Sequence, residues 1–451
     1  MANDLDAFVP ELWAQESLMV LESQCVMSEL IHRDFQNVIA NYGDTVNTRR
    51  PGRFVGIRKT NADDVTIQDA TATNVAVKLD QHLHTSFKIA DGEEALGFQS
   101  LRDLYLVPAL ESISQSMDQI LLYQMYEFLD NNAGRLGVDP DQYSILELSE
   151  QFDERKVPTN GRNLVITPGQ KAAFLGLNLF TAADAVGDNG TALREGSLGR
   201  KYGFNTFMSQ NAPRVSVGNT LVLGAINNAS GYVAGDTALT VDGFSAAILN
   251  GTWCIIAGDD TPQMITGTTG GAIPTALAIT PGLQRTVADN AVVTIYAPGA
   301  VNLAAGYAAG HAKNIVVDAF TVAPRQGQLV SFGVDGYKYG VRHETLSTPG
   351  LVGFSTNRNL DAAIVDDAVV GIGPAGNYGF AFHRNCMGLI TRPLPLPRPG
   401  TGALAAVANY KGYSVRVTIT YQGVSQGHLV TVDMLAGVKT FDGDMGTVLF
   451  S

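Results

Sequence analysis

The chain has 451 residues, with 43 Asp and Glu against 30 Lys and Arg and a formal charge of −13. Such acidity excludes the cationic surface by which proteins neutralise DNA phosphates, and an apolar content of 45% excludes intrinsic disorder. Charged residues make up only 16%, against about 25% in an ordinary globular chain, which points to a surface largely covered by other molecules, copies of the same chain among them.

At roughly 100–200 residues per domain the length implies two to four structural units. The 48 glycines point to tight turns and β structure. Cys25, Cys254 and Cys386 are scattered, with no CxxC spacing, so neither a disulfide framework nor a thiolate metal site is expected, and a reducing interior is. The opening MANDLDAFVPELWAQE is acidic and does not read as a signal peptide. The least charged stretches, near 215–235 and 290–312, are broken by Gly, Pro and Asn, so no membrane span of about 20 apolar residues is expected.

In chain order, residues 1–46 read as an acidic arm. Asp4, Asp6, Glu11, Glu16, Glu22, Glu29, Asp34 and Asp44 face a single Arg33, and 11–31 has mixed helical spacing. Residues 47–90 switch to period two: RFVGIRK, VTIQDAT, NVAVKLD and SFKIA read as strands, suited to a long β-hairpin. Five cations cluster there, Arg49, Arg50, Arg53, Arg58 and Lys59. They suit a solvated hairpin tip or contacts with acidic groups on an adjacent subunit, and the lack of an aromatic ladder speaks against nucleic acid.

Leu106, Leu110, Ile113, Met117, Ile120, Leu121 and Phe128 recur at three and four and predict a long helix within 98–135, with Pro108 as a kink or a first-turn residue. A helix of about 25 residues would span nearly 38 Å, at about 1.5 Å per residue. Residues 136–213 are mixed: a helix over 141–156, a buried strand NLVITP, a helix over 169–180 and aromatic strands in LGRKYGFNTFMS. From 214 to 325 short strands alternate with turn signals (TLVLGAI, TALTVDGF, GTWCIIAG, QMITGT, ALAITP, AVVTIYA), predicting an inserted all-β barrel or sandwich. Mixed character returns over 326–404, where PLPLPRPG is an extended connector. Two alternating strands, GYSVRVTITYQ and GHLVTVDMLAGV, close the chain within 405–451.

No motif supplies chemistry. Gly371-Ile-Gly-Pro-Ala-Gly376 matches GxGxxG, but Pro374 and the strand-like NYGFAFH behind it favour a turn over a dinucleotide site. His82 and His84 share a strand face without further ligands. His343-Glu344 is not HExxH. His383 near Cys386 has no fixed third partner. The doublets Asp259-Asp260 and Asp366-Asp367 fit turns, and the sequons at Asn189, Asn228 and Asn250 carry no weight without export. No catalytic residue, metal or cofactor is expected.

The order of segments, with the strings 157–168 (VPTNGRNLVITP), 197–211 (SLGRKYGFNTFMSQN), 381–397 (AFHRNCMGLITRPLPLP) and 412–437 (GYSVRVTITYQGVSQGHLVTVDMLAG), resembles the major capsid proteins of tailed bacteriophages, in particular the P-twenty-two type with an inserted β domain. The resemblance implies an α+β chain of the Hong-Kong-ninety-seven capsid fold. Residues 1–46 would be the N-terminal arm, 47–97 the E-loop, and 98–135 the spine helix of the peripheral domain. Residues 136–213 and 326–404 would form the axial and peripheral body, 214–325 the insertion domain, and 405–451 the last peripheral strands. It further implies a non-enzymatic shell subunit, built into pentamers and hexamers of an icosahedral virion around double-stranded DNA. Assembly would occur in the host cytoplasm through a procapsid with a separate scaffolding protein and a portal, with a decoration protein as a further candidate partner, and away from membranes. Subunit contacts are expected at Arg49, Arg50, Arg53, Arg58, Lys59, Asp4, Asp6 and Glu11. A nanocompartment shell of the same fold and a cytosolic enzyme remain the alternatives.

Overall fold

The computed structural model describes residues 26–33, 43–50, 56–59, 61, 64, 67–68, 73–90, 105, 107–177, 198–215, 221–271, 273–320, 323–333, 336–348, 351–392, 394–398, 402–410, 413–424 and 426–451. They are mostly β, with few helices, in an α+β arrangement. The sequence-predicted helix over 11–31 lies largely outside these residues; α1 (Val26–Leu30) is its described part. Next come β1 (Thr45–Arg50), β2 (Thr73–Lys78), β3 (Gln81–Ala90) and α2 (Val107–Tyr123), which runs on as a 3-10 turn over Gln124–Phe128. Residues 56–59, expected as strand, are not: Ile57, Arg58 and Lys59 are exposed and have no partner ladder among the described residues. Pro108 sits in the first turn of α2, where its missing N–H costs nothing.

Two units follow from the contacts, one in the spans 31–114 and 387–441, the other in 25–30, 115–386 and 442–451. In the second, β4 (Asn132–Gly134) precedes α3 (Gln142–Glu154), β5 (Arg162–Ile166) and α4 (Pro168–Leu175). Both helices open on capping boxes, Asp141 with Ser144 and Thr167 with Gln170, which satisfy amides that have no intrahelical acceptor. Strands β6 (Arg200–Lys201), β7 (Phe204–Met208) and β8 (Arg214–Val215) complete this stretch. After the segments described next, β21 (Gly376–His383) and β26 (Gly446–Phe450) close a seven-stranded sheet of order β4-β26-β21-β5-β7-β6, with β8 also on β21.

Arg162 shows why VPTNGRNLVITP takes this form. Its side chain is buried, donates to Asp153 Oδ1 (2.7 Å) and to the carbonyls of Val157 (2.6 Å) and Pro158 (3.0 Å), and lies over the Phe152 ring. One guanidinium thus stitches the end of α3 to β5. Asp118 of α2 does the same elsewhere: it is buried and accepts from Met27 N (3.1 Å), Ser209 Oγ (2.9 Å) and Asn211 Nδ2 (2.9 Å).

Between β8 and β21, which pair with each other, the chain forms two closed six-stranded barrels. The first has β9 (Leu221–Ile226), β10 (Ala238–Asp242), β11 (Trp253–Ile256), β12 (Gln263–Thr269), β13 (Ala276–Thr280) and β14 (Val292–Tyr296). The second has β15 (Gly299–Val301), β16 (Ile315–Asp318), β17 (Leu329–Phe332), β18 (Lys338–Thr348), β19 (Leu351–Thr356) and β20 (Val369–Ile372). The six strands expected within 214–325 are those of the first barrel. The sequence reading ran this block on to 325 and gave 326–372 to the body; the second barrel instead starts at Gly299 and takes up both parts.

The second barrel repeats the first. Around each ring the strands run first, second, fifth, fourth, third, sixth. Tyr232 bridges Val287 as Tyr307 bridges Ile364. The Tyr232 hydroxyl accepts from Thr240 N and the Tyr307 hydroxyl from Val316 N, both at 2.7 Å. Asp289 accepts from Asn228 N and Asp366 from Leu303 N, both at 2.9 Å. The sequence repeats too: DNAVVTI (289–295) matches DDAVVGI (366–372), and SGYVAG (230–235) matches AGYAAG (305–310). Equivalent residues fill both interiors, such as Ile226 and Val301, Val241 and Val317, Leu283 and Leu360, and Ile295 and Ile372.

The barrels meet along a seam of small residues. The buried Trp253 donates Nε1–H to Ser331 Oγ at 2.9 Å. A Cβ on Gly371 would collide with the Gly251 carbonyl oxygen and sit 2.8 Å from Ser331 Oγ, and one on Gly251 would sit 2.6 Å from the Gly333 carbonyl oxygen.

In the other unit, β1 and β2 form a two-stranded antiparallel ribbon from Thr45↔Lys78 to Arg50↔Thr73. A five-stranded sheet of β22 (Met387–Arg392), β23 (Ala403–Tyr410), β24 (Tyr413–Gln422), β25 (Gly427–Thr440) and β3 is organised around β25. Val77, Leu79, Ile390 and Leu435, with Val46, Leu394 and Phe441, form the apolar root of the ribbon on this sheet. Residues 394–398 of the Pro-rich connector form no strand.

Candidate assembly surfaces

Cys254, His82, His383 and Asp259 each take part in structural contacts among the described residues. Among the described residues no three His, Cys, Asp or Glu groups come together as a metal site. Cys254 is buried in the first barrel, and loss of solvation pushes its thiol up to about 12, the opposite of an activated nucleophile. His383 is buried; its Nδ1 accepts from Asn385 N (3.2 Å), which leaves Nε2–H to donate to the Asn160 carbonyl (3.0 Å). Burial lowers its pKa further, and with both nitrogens occupied it has no lone pair for a substrate.

His82 and His84 do share a face, their rings 6.2 Å apart, but that face carries Asp433 and Arg416. Arg416 grips Asp433 through Nε (3.0 Å) and Nη2 (2.5 Å), and His82 Nε2 lies 3.7 Å away. Burial alone would raise the Asp433 pKa; hydrogen bonds and charge from His82 and Arg416 outweigh it and hold the carboxyl below its ordinary range. The cluster ties β3, β24 and β25 together.

The GxGxxG run joins two strands, with no helix to face a phosphate. Its glycines are there for contact distance. Gly371 passes Gly251, a Cβ on Gly373 would lie 2.6 Å from Leu329 Cβ, and one on Gly376 would strike Leu136. Asp259, half of an acidic doublet, is fully buried at the end of the first barrel. It accepts from Thr261 Oγ1 (2.6 Å), Gln263 Nε2, Gln284 N (3.1 Å) and Arg285 N (2.8 Å). Desolvation raises its pKa despite these donors. Arg285 then reaches Glu147 of α3 through both carboxylate oxygens, at 3.0 and 3.1 Å. The second barrel is clamped differently, by Lys338 on Asp130 (2.9 Å) and Arg358 on Glu127 (3.2 Å).

Of the contact residues expected from sequence, Arg58 and Lys59 are exposed. Arg49 and Arg50 lie in β1 opposite Asn74 and Thr73. Arg53, Asp4, Asp6 and Glu11 lie outside the described residues. The sequence reading missed a second surface. A cleft of about 560 Å³ runs beside α3, lined by Arg135, Val138, Asp139, Tyr143, Leu146 and Glu150 among others. Tyr143 is 68% and Leu146 41% exposed, although α3 already buries Ile145, Leu148 and Phe152 on its other side. The signal was present as an apolar pair three residues apart, out of phase with the buried stripe.

No known family profile matches the chain, and no curated protein matches it. Among solved structures it is similar to one titled Mycobacterium phage Che8 (TM-score 0.42, 10% identity, covering 94% of this chain and 90% of that one). It is also similar to the capsid structure of the cyanophage P-SCSP1u (TM-score 0.41, 11% identity, 93% and 86% covered). A third likeness is to a virus-like particle from Pyrococcus furiosus (TM-score 0.36, 8% identity, 97% and 98% covered).

Proposed function

We propose that this chain is a shell subunit, a major capsid protein whose work is done by its contacts with copies of itself. The observation that carries the reading is where its large apolar side chains stand in water. They include Ile57 and Ile67 on the ribbon's connecting segment, Tyr421 and Val424 at the β24–β25 end of the five-stranded sheet, Tyr143 and Leu146 along α3, Leu223 and Val233 on the first barrel, and Leu303 and Val365 on the second. Exposed apolar residues on several separate elements, with no reactive cluster among the described residues, suit a subunit with several neighbours. The resemblance of the strings 157–168, 197–211, 381–397 and 412–437 to tailed-phage capsid proteins supports the same reading.

On this reading the β1–β2 ribbon acts as the E-loop, α2 as the spine, and the paired barrels as the insertion. Arg49, Arg50, Arg53, Arg58 and Lys59 would meet acids of adjacent subunits, among them Asp4, Asp6 and Glu11 of their arms. Copies would close as pentamers and hexamers into an icosahedral virion around double-stranded DNA. Assembly would run in the host cytoplasm on a separate scaffolding protein, with a portal at one vertex. The charge of −13 suits an inner wall that repels packaged DNA.

The test is assembly. Purified chain, with and without a co-expressed scaffold, is imaged by electron microscopy and sedimented. Closed particles of uniform size are expected, and their nucleic-acid content separates a virion shell from a nanocompartment. A lone monomer that turns over a small compound would end the proposal.

A further inference from the structure

We propose that the cleft along α3 receives the β1–β2 connection of a second copy, with Ile57 seated on Tyr143 and Leu146 and with Arg58 and Lys59 against Asp139 and Glu150. The inference rests on the shell reading and names one contact within it.

The argument starts from α3. Its positions 143, 146, 147 and 150 fall on one face, at helical spacings of three, four and seven, away from the buried Ile145, Leu148 and Phe152. Tyr143 and Leu146 give it an apolar floor, and Val138 (51% exposed) extends it. The rim is acidic: Asp139, Asp141, Glu147 and Glu150 outnumber Arg135 and Arg285. Two of these acids have internal tasks, Asp141 as the cap of α3 and Glu147 as the partner of Arg285. Asp139 and Glu150 are exposed and form no ion pair among the described residues.

The ribbon connection has the matching pattern. Ile57 is 54% exposed between Gly56 and two exposed cations. A branched apolar side chain flanked by Arg58 and Lys59 complements an apolar floor with two carboxylates at its edge. Desolvating the apolar pair supplies attraction, and the charge pairs fix register and disfavour wrong partners. The choice of a second copy as occupant follows from this charge complementarity within one sequence.

The test is a charge swap in the full chain, under conditions where the wild type forms particles. Arg58→Glu with Lys59→Glu, and separately Asp139→Lys with Glu150→Lys, should each cut particle yield at least tenfold. The four changes together should restore yield to within about threefold of wild type. All these positions are exposed, and circular dichroism confirms folding. A second readout pairs Ile57→Cys with Leu146→Cys: mild oxidation of particles should give a ladder of covalent oligomers, absent from either single variant. Single-side reversals that assemble normally, a combination that stays defective, or wild-type-like particles without the ladder would each overturn the contact while leaving the shell reading intact. Failure of the wild type itself to assemble would overturn both.

Discussion

The seam between the barrels gives the sharpest test of the fold, through Gly371→Ala. The added methyl would collide with the Gly251 carbonyl, lie 2.8 Å from Ser331 Oγ and lie 3.1 Å from Trp253 Cδ1. The first of these is backbone and cannot rotate away, so the barrels must part. Overpacking of this kind costs about 1–3 kcal/mol. Stretching the buried Trp253–Ser331 hydrogen bond adds about 1 kcal/mol. A loss of roughly 2–4 kcal/mol is therefore expected. The chain holds two tryptophans, so in a Trp13→Phe background Trp253 reports the seam alone. Urea unfolding followed by its emission should show an earlier midpoint and a red shift before the main transition. The repeat supplies a comparison: Thr294, half-buried, occupies in the first barrel the place of Gly371 in the second, so the strand itself accepts a β-branched residue there. If Gly371→Ala unfolds within about 0.5 kcal/mol of wild type, with Trp253 emission unchanged, the close approach is wrong.

Asp118→Ala should destabilise by about 3 kcal/mol or more, because Met27 N, Ser209 Oγ and Asn211 Nδ2 all lose one buried acceptor; denaturant midpoints measure it, and a neutral result would remove Asp118 as an anchor. Asp433 has a folded pKa below its unfolded value, which is about 3.9. Its contribution is therefore complete above that pH and is lost as pH falls through the folded value, so melting points should drop below about pH 4 and Asp433→Asn should flatten that drop. Identical acid slopes for the two proteins would count against the cluster. Cys254, buried with its thiol pushed up to about 12, should resist iodoacetamide at pH 8 in the native chain and react only after denaturation; peptide mapping that finds native labelling at Cys254 would contradict the closed barrel.

Periodicity made the local elements legible. The apolar spacing of Leu110, Ile113, Met117 and Leu121 marked α2, the helices read from Asp141 and Gly169 start within one residue of those positions, and the alternation in 412–422 and 427–438 marked a paired ribbon of strands. The six strand strings within 214–325 were all found, yet the barrel boundary was not, because a barrel is closed by pairing between distant strands such as β9 with β14, which no local pattern reports. The repeat is written in DNAVVTI and DDAVVGI, but Gly371 of the second copy also completes a GxGxxG pattern that obscures it. The cleft on α3 was hidden for another reason: Tyr143 and Leu146 look like core residues until Ile145, Leu148 and Phe152 are seen to fill the core without them.

Two barrels of one strand order in tandem create a hazard during synthesis, since a nascent strand from either could complete the ring of the other. The copies are told apart where they differ most. Trp253 stands where the second barrel has Leu329, and Thr294 where it has Gly371. An exchanged strand would bring a bulky indole or a branched side chain to a place shaped for its smaller counterpart. The residues that hold the finished pair together thus also reject the mispaired one.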